Sequence, residues 1–502
     1  MPDLSTPDSS NDSADRPERG ARAPDESPSR SDAGRNDRCL LIAGRQQSDP
    51  RSDLSVALRQ PDGNESIRLL AYLIRKAMRW MADRVTVDWP SFKRAVDARP
   101  PQALPVLIPT HRSYLDFLLT SYLLFVRPEL GLSVPHTPAT QEFEDMWIVG
   151  RLLERARAFY IERGAGCAQF SINQKLEALD DPDATLMFFV EGGRSRSRRF
   201  LSPQMGLLQA LKRTGRYCHI LPLSIAYDRV PEQRELETEL RGHPKSQKTL
   251  SGLLRWTGRL VRNDIDLGHI HLCCGRPLTL NEETDVPTCA NIILARHRAN
   301  MAVTRYHLQC FVDRADPDGV DVEDIAEMID ARGGRVLDST LAGRVSPSRL
   351  EERSYRFQWM HLLYPDAQQL YGDHPVVRHH LQFNHHDVDP SSDPPAADDR
   401  VRAIVAALFE PIAATYRRVG RRLARADADD LPTPSDFFGD RHGFKPYVEE
   451  AYEAFVEEGI LAHSGSAEHQ WARGPRFNRL SRFLERCRLP SETEGTPAAS
   501  SL

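Results

Sequence analysis

An imidazole five residues ahead of a carboxylate, His111 and Asp116, is the pair in this chain best suited to moving a proton. A carboxylate that accepts from one ring nitrogen fixes the tautomer and leaves the other nitrogen as a base, which suits deprotonation of an alcohol. Five positions span roughly 140° around an ideal helix, so the two side chains cannot share a helical face. They meet only if His111 sits in the turn before the helix and its ring folds back over the first turn. Ser113 is placed to be the N-cap of that helix. The same letters allow a plainer reading, because Ser113-x-x-Asp116 ahead of Phe117-Leu118-Leu119 matches a capping box. His111 would then be an ordinary turn histidine, and this segment leaves both readings open.

Three further segments carry chemistry. Phe188-Phe189-Val190 reads as a buried strand that runs straight into Glu191-Gly192-Gly193-Arg194-Ser195-Arg196-Ser197-Arg198-Arg199. Two glycines let backbone turn sharply and approach a ligand closely. Guanidinium groups beside serine hydroxyls offer donors suited to phosphate oxygens, and a carboxylate at the strand end can hold one Arg in place. A solvated basic loop is the alternative. Arg157-Ala158-Phe159-Tyr160-Ile161-Glu162-Arg163 sets Arg163 at a strand end as a second candidate phosphate ligand. Ile220-Leu221-Pro222-Leu223-Ser224-Ile225-Ala226-Tyr227 is an apolar strand whose proline points to an edge or first-strand position. It could line a substrate cleft or simply pack in the core.

These segments need elements to position them. From residue 104, short apolar runs (106–108, 159–161, 186–190, 220–226, 270–274) alternate with helical stretches at 141–157, 169–179, 203–214 and 247–262. Such alternation predicts an α/β fold, with a mixed or largely parallel sheet flanked by helices. Residues 1–65 mix both charges with Ser, Pro and Gly, and read as a disordered N-terminal segment. Ile67, Leu70, Ile74, Met78, Met81 and Val85 then recur at helical spacing, with Arg68, Arg75 and Arg79 on another face. This is a basic amphipathic helix that can pack on the core, lie on a membrane surface, or do both. It leads an α/β domain over 66–285. A helical extension over 286–386, a linker at 387–400, a C-terminal helical region over 401–488 and a polar tail at 489–502 complete the chain.

The four segments, in this order, resemble the blocks of the glycerol-3-phosphate and dihydroxyacetone-phosphate acyltransferase family. They stand here as HRSYLD, RAFYIER, FFVEGGRSR and ILPLSIAY, within about residues 104–280. The resemblance implies the α/β fold of that family and transfer of an acyl group to the sn-1 hydroxyl of glycerol 3-phosphate. His111 would be the general base and Asp116 its orienting partner. Arg163, Glu191, Gly192, Gly193, Arg194, Ser195 and Arg196 would bind the polyol phosphate, and Pro222 would belong to the fourth block. The donor would be acyl-CoA or acyl carrier protein, with no cofactor beyond it. Dihydroxyacetone phosphate or lysophosphatidate as acceptor, and a catalytically inactive phosphate- or lipid-binding protein, are the alternatives. One departure stands out: Arg157 occupies a position where the family's second block usually has Gly, and Arg tolerates a positive backbone dihedral poorly.

Bulk properties narrow the partners. With 66 basic against 71 acidic residues the 502-residue chain carries a net charge of -5, which argues against a nucleic-acid binder. The 8 cysteines form no Cys-x-x-Cys pair and read as reduced, packed thiols. The N-terminus shows no signal-peptide pattern, and the longest apolar stretch, 117–126, is about half the ~20 residues needed to cross a bilayer. The expected location is cytoplasmic, peripheral on the cytoplasmic face of the membrane. A second basic amphipathic stretch at 245–262 could serve that contact or pack on the sheet with a solvated basic face. His374, His379, His380, His385 and His386 make a His-rich tract whose spacing fits no standard zinc pattern.

Overall fold

A computed structural model describes residues 39–46, 65–140, 157–161, 183–243, 265–384, 397–438, 443–463 and 471–489, except 318 and 429, with only the backbone at 139–140 and 158–161. All belong to the unit Cys39–Leu502. The expected helices at 169–179 and 247–262, residues 141–156, and Arg163, His385 and His386 lie outside the described residues.

The chain opens with β1 (Cys39–Ala43), α1 (Glu65–Met81), β2 (Ala82–Asp88), α2 (Trp89–Asp97), β3 (Leu104–Pro109) and α3 (Leu115–Val126). Next come β4 (Thr137–Thr140), β5 (Ala158–Ile161), β6 (Leu186–Met187), α4 (Gly206–Arg213), β7 (Cys218–Tyr227), α5 (Gln233–Leu240), β8 (Gly268–Cys274), β9 (Leu278–Leu280) and α6 (Val286–Ala299). The main sheet runs β1-β2-β8-β7-β3-β6, with β9 also paired to β7. It is mixed: β2–β8, β3–β7 and β3–β6 are parallel, whereas β1–β2, β7–β8 and β7–β9 are antiparallel. This is the α/β architecture expected from the sequence.

Side-chain alternation builds the layers. On one face Leu107, Leu221, Leu223, Ile225 and Leu272 pack with Ile67, Ala71, Ile74 and Met78 of α1 and with Leu119 and Leu123 of α3. On the other, Val106, Ile108 and Ile220 meet Leu208 and Leu211 of α4 and Ala290, Ile293 and Leu294 of α6. Helices therefore cover both faces of the sheet, and β3 delivers His111 to its C-terminal edge.

Several sequence expectations are corrected. The segment 1–65 contains a strand, because Cys39-Leu40-Leu41-Ile42-Ala43 is apolar enough to pair with β2. The first helix stops at Met81, and Val85 belongs to β2, whose β-branched Val85, Thr86 and Val87 sit in the sheet. Arg75 is not on a solvated basic face; it is buried and donates to Tyr122 Oη at 3.4 Å. The run 159–161 does not join the main sheet but pairs with β4 in a separate two-stranded ribbon. The helix 286–299 belongs to the α/β layers rather than to a separate extension, since its apolar face covers β3 and β7.

Pro222 is neither at an edge nor in a first strand. It lies mid-β7, opposite Ile108 of β3, with further strands on the other side. The backbone of Leu223 faces β3, its carbonyl accepting from Thr110 N at 2.8 Å, so that of Pro222 faces away. There the partner changes from β8, ending at Cys274, to β9, beginning at Leu278, and a proline's missing N–H leaves no ladder bond unmade. Its carbonyl accepts from Gly275 N at 2.8 Å.

After α6 follow β10 (Ala302–Thr304), α7 (Arg305–Ala315), α8 (Val322–Ala331), β11 (Arg335–Leu337), α9 (Arg349–Trp359), α10 (Tyr364–Tyr371), α11 (Pro375–Phe383), α12 (Asp399–Arg425) and α13 (Lys445–Glu457). A short hairpin, β12 (Leu461–His463) with β13 (Trp471–Arg473), and α14 (Leu480–Arg486) close the described chain. One hydrophobic cluster from Val303 to Cys487 unites these helices. The regions read as 286–386 and 401–488 thus share a core and form one helical body. No described helix is long and apolar enough to cross a membrane.

Candidate active site

The strand-to-helix turn after β3 brings His111 and Asp116 together. Thr110 Oγ1 accepts from Ile225 N at 3.0 Å, closing the ladder where β3 leaves β7. The chain then turns through Ser113 and Tyr114 before α3 begins, and His111 Nδ1 lies 3.1 Å from Asp116 Oδ2. That same oxygen accepts from Arg112 N at 2.7 Å and Ser113 N at 2.8 Å, while Oδ1 accepts from Tyr227 Oη at 2.6 Å. Asp116 is therefore both the partner of His111 and the acceptor for the turn's amides. Ser113 does not cap by its expected route: its hydroxyl accepts from Leu115 N at 3.0 Å and donates to Glu232 Oε2 at 2.8 Å.

A carboxylate on Nδ1 selects the tautomer with Nδ1–H, which leaves Nε2 as the lone-pair nitrogen. Among the described residues Nε2 takes no hydrogen bond. The imidazole stacks on Phe189, ring centroids 3.9 Å apart and planes 13° apart, so its plane is set by packing as well as by Asp116.

The glycine-arginine loop is fastened directly to this turn. Ser195 N donates to the His111 carbonyl at 2.9 Å, and Glu191 Oε1 accepts from His111 N at 3.2 Å. Glu191 is not a ligand-facing group. Its buried carboxylate receives Arg112 Nη1 at 3.0 and 2.8 Å and Leu201 N at 3.2 Å. Breaking such a buried pair from one side costs about 3–5 kcal/mol, so Glu191 acts as an internal clamp. The Ser195 hydroxyl is also used internally, donating to the Arg199 carbonyl at 2.6 Å. Arg196 projects outward and pairs with Glu239.

Two cations of the loop keep a buried donor without a hydrogen-bond partner among the described residues: Arg199, 4.2 Å over the Phe383 ring, and, beside the His111 turn, Arg194. The Arg194 guanidinium lies 3.9 Å over the Tyr114 ring, and its unfilled donor is Nη1. Gly192 holds φ 66°, and a Cβ there would stand 2.4 Å from Gln204 Cγ. The turn therefore requires glycine both by dihedral and by space. Gly193 borders open space. Glu232 accepts from Tyr114 N at 2.9 Å as well as from Ser113. Burial pushes its carboxyl up from the ordinary range, and the nearby Arg194 charge pulls it back. At the second block, Arg157 does adopt the left-handed conformation expected to favour glycine, φ 69°, with Nη1 on the Val134 carbonyl at 3.2 Å.

Residues 94–226 match the family model described as Acyltransferase. The similarity to that family lies within these residues. Over 228 residues it is 35% identical to the dihydroxyacetone phosphate acyltransferase of Bos taurus, covering 43% of this chain and 32% of that protein. Over 188 residues it is 35% identical to the glycerol-3-phosphate acyltransferase of Ectopseudomonas mendocina, covering 36% of this chain and 22% of the relative. The chain thus spans about a third or less of the length of the curated relatives it matches. A solved 1-acyl-sn-glycerophosphate acyltransferase from Thermotoga maritima aligns with 49% of this chain and 85% of its own, at TM-score 0.27 and 16% identity, too loosely to carry an argument.

Four residues of this candidate site escape a reading of the sequence: Arg112, Phe189, Tyr227 and Glu232. Each stands beside or inside a recognised block, but its role depends on a partner more than seventy positions away. Tyr227 left the clearest trace, a phenol hydroxyl at the end of a buried, mostly apolar strand. In the His-rich tract the described histidines are divided among separate partners. His374 meets the Arg488 carbonyl, His379 meets Glu457 and Glu458, and His380 meets the buried Glu450.

Proposed function

We propose that this chain is an O-acyltransferase that moves a fatty acyl group from acyl-CoA or acyl carrier protein to the sn-1 hydroxyl of glycerol 3-phosphate. One observation carries the reading: a His-Asp pair with Nε2 open is tied, through Ser195 N and Glu191, to a loop whose Arg194 has an unfilled donor. A phosphate on Arg194 would bring the polyol's hydroxyl to the base. His111 takes that hydroxyl's proton as the oxygen attacks the thioester carbonyl. The tetrahedral intermediate collapses by breaking the C–S bond, and the proton passes to the departing thiolate. Dihydroxyacetone phosphate is a second acceptor to consider, because the first relatives matched are named for it.

We place the enzyme at the cytoplasmic face of the membrane as a peripheral protein. The outer face of α1 exposes Leu69, Leu73 and Trp80, at 52%, 45% and 39%, with Lys76 over the Trp80 ring. This apolar stripe with an interfacial Trp and flanking cations suits an anionic lipid surface.

Purified protein incubated with labelled acyl-CoA or acyl carrier protein and each acceptor tests the activity. Glycerol 3-phosphate is expected to be acylated, and His111→Ala to cut turnover by roughly 10²–10⁴-fold with the fold intact. Near-wild-type turnover in that variant sinks the base assignment. Flotation with anionic liposomes tests the surface: the double variant Leu73→Glu, Trp80→Glu should lose binding, and retention shows that α1 is not the contact.

A further inference from the structure

The loop that carries Arg194 is fastened at its far end by a residue with no part in the chemistry above. Arg198 holds φ 61°, the left-handed region that residues other than glycine occupy only under constraint. Its side chain is buried, and its donors are spent on neutral acceptors. Nη1 donates to the Tyr227 carbonyl at 2.7 Å and to Gln358 Oε1 at 3.0 Å, and Nη2 donates to the Asp228 carbonyl at 3.1 Å. The guanidinium also lies 4.5 Å over the Tyr355 ring. Gln358 is itself fixed, since its Nε2 donates to the Ala302 carbonyl at 2.8 Å.

Two unfavourable features meet at this residue: a strained backbone and a guanidinium taken out of water without a hydrogen-bonded carboxylate among the described residues. Loop closure alone would be better served by a glycine. What the residue joins explains its presence. Tyr355 and Gln358 belong to α9 of the helical body. Tyr227 is the residue whose hydroxyl holds Asp116. The loop leading into Arg198 holds the His111 backbone through Ser195 and carries Arg194.

We infer that Arg198 is a positioning residue for acyl transfer, a clamp by which the C-terminal helical body sets the end of β7 and the phosphate loop together. It keeps Tyr227 under Asp116 and the backbone that carries Arg194 fastened to His111 through Ser195. The inference rests on the acyl-transfer reading above.

Two variants divide the clamp from its surroundings. Arg198→Gly suits the left-handed backbone while deleting the side chain, and Gln358→Leu removes the hydrogen bond to α9 while leaving the Arg and its stacking on Tyr355 in place. Steady-state kinetics in both substrates, with glycerol 3-phosphate binding by calorimetry, supply the readout. For Arg198→Gly the KM for glycerol 3-phosphate should rise about tenfold and kcat fall about 10–100-fold, with the KM for the acyl donor within twofold. Calorimetry should show the same weakening for the polyol phosphate. Gln358→Leu should move the same constants in the same direction by a smaller factor. Arg198→Lys should fail to restore them, because one ammonium cannot span acceptors on three residues. A fall in kcat matching the loss of folded protein, with both KM values and the calorimetric affinity unchanged, overturns the inference and leaves the acyltransferase reading standing. A wild-type protein that neither binds nor acylates any polyol phosphate instead overturns the reading on which the inference rests.

Discussion

Asp116→Asn should separate the charge of this carboxylate from its geometry. The side chain is fully buried and receives four hydrogen bonds, three on Oδ2 and one on Oδ1. An asparagine oxygen in the Oδ2 seat can still accept from Arg112 N, Ser113 N and His111 Nδ1. Its amide then faces Tyr227, whose hydroxyl can rotate to accept instead of donate. Shape and tautomer survive, and the lost element is the negative charge 3.1 Å from the imidazole at the moment it takes up a proton. A hydrogen bond to a charged group contributes about 1.5–3 kcal/mol. Coulomb's law at that separation, with an effective dielectric near ~20, gives an upper figure of about 5 kcal/mol. A loss of about 2–5 kcal/mol of transition-state stabilisation corresponds to a fall in turnover of roughly 30- to 5,000-fold. The assay is the initial rate of labelled acyl transfer to glycerol 3-phosphate at saturating substrates, beside a thermal melt. A variant that melts like wild type and turns over within threefold of it would falsify the view that Asp116 stabilises the imidazolium.

Two other outcomes follow from the same geometry. Tyr227→Phe deletes the single donor on Oδ1 and should cost about 1.5–3 kcal/mol of stability by urea titration, yet leave turnover within about tenfold because the Oδ2 contacts persist. A hundredfold loss at unchanged stability would give Tyr227 a direct role instead. Burial holds His269 and His297 down to about 4 and His307 down to about 3. Between about pH 4 and 6.5 the unfolded chain therefore binds protons that the native state refuses, and stability rises with pH. Asp228, which burial raises to about 6, acts in the opposite direction over part of that window. His271, held well below its ordinary value by burial, and His219 and His374 add to the histidine side, and the raised carboxyls of Glu232, Glu237, Glu449 and Glu453 add to the other. The large shifts, on four histidines against one carboxyl, set the sign. The urea midpoint should fall from pH 6.5 to pH 5, and a flat or rising midpoint contradicts the assignment of neutral buried histidines.

What the sequence revealed and what it hid divide along a physical line. Local rules left His111 and Asp116 open between a paired dyad and a capped turn, and the folded chain shows Asp116 serving both. The turn at Gly192 was legible because it depends on neighbours within a few positions. The sheet's central strands were legible as apolar runs. Edge strand β1 was not, because five apolar residues stand alone in a polar setting, and β2 was hidden by directly continuing a helical pattern. Proline at 222 misled because a missing N–H was assumed to need an edge, whereas a change of partner strand serves as well. The loop's composition suggested several phosphate donors. Only the folded chain shows Ser195 and Glu191 consumed by internal bonds and Arg196 drawn to Glu239, with Arg194 left open.

Two of the three donors on Asp116 Oδ2 are main-chain amides, those of Arg112 and Ser113. No side-chain exchange can delete a peptide N–H other than substitution by proline. The positions between the base and its partner are thereby released for other duties: Arg112 to anchor the loop, Ser113 to engage Glu232, Tyr114 to face Arg194. A protein engineer who wishes to reshape the surroundings of Arg194 therefore has Ser113 and Tyr114 as handles that leave the amides on Asp116 in place, whereas Arg112 is fixed by the buried Glu191 that also holds His111 N.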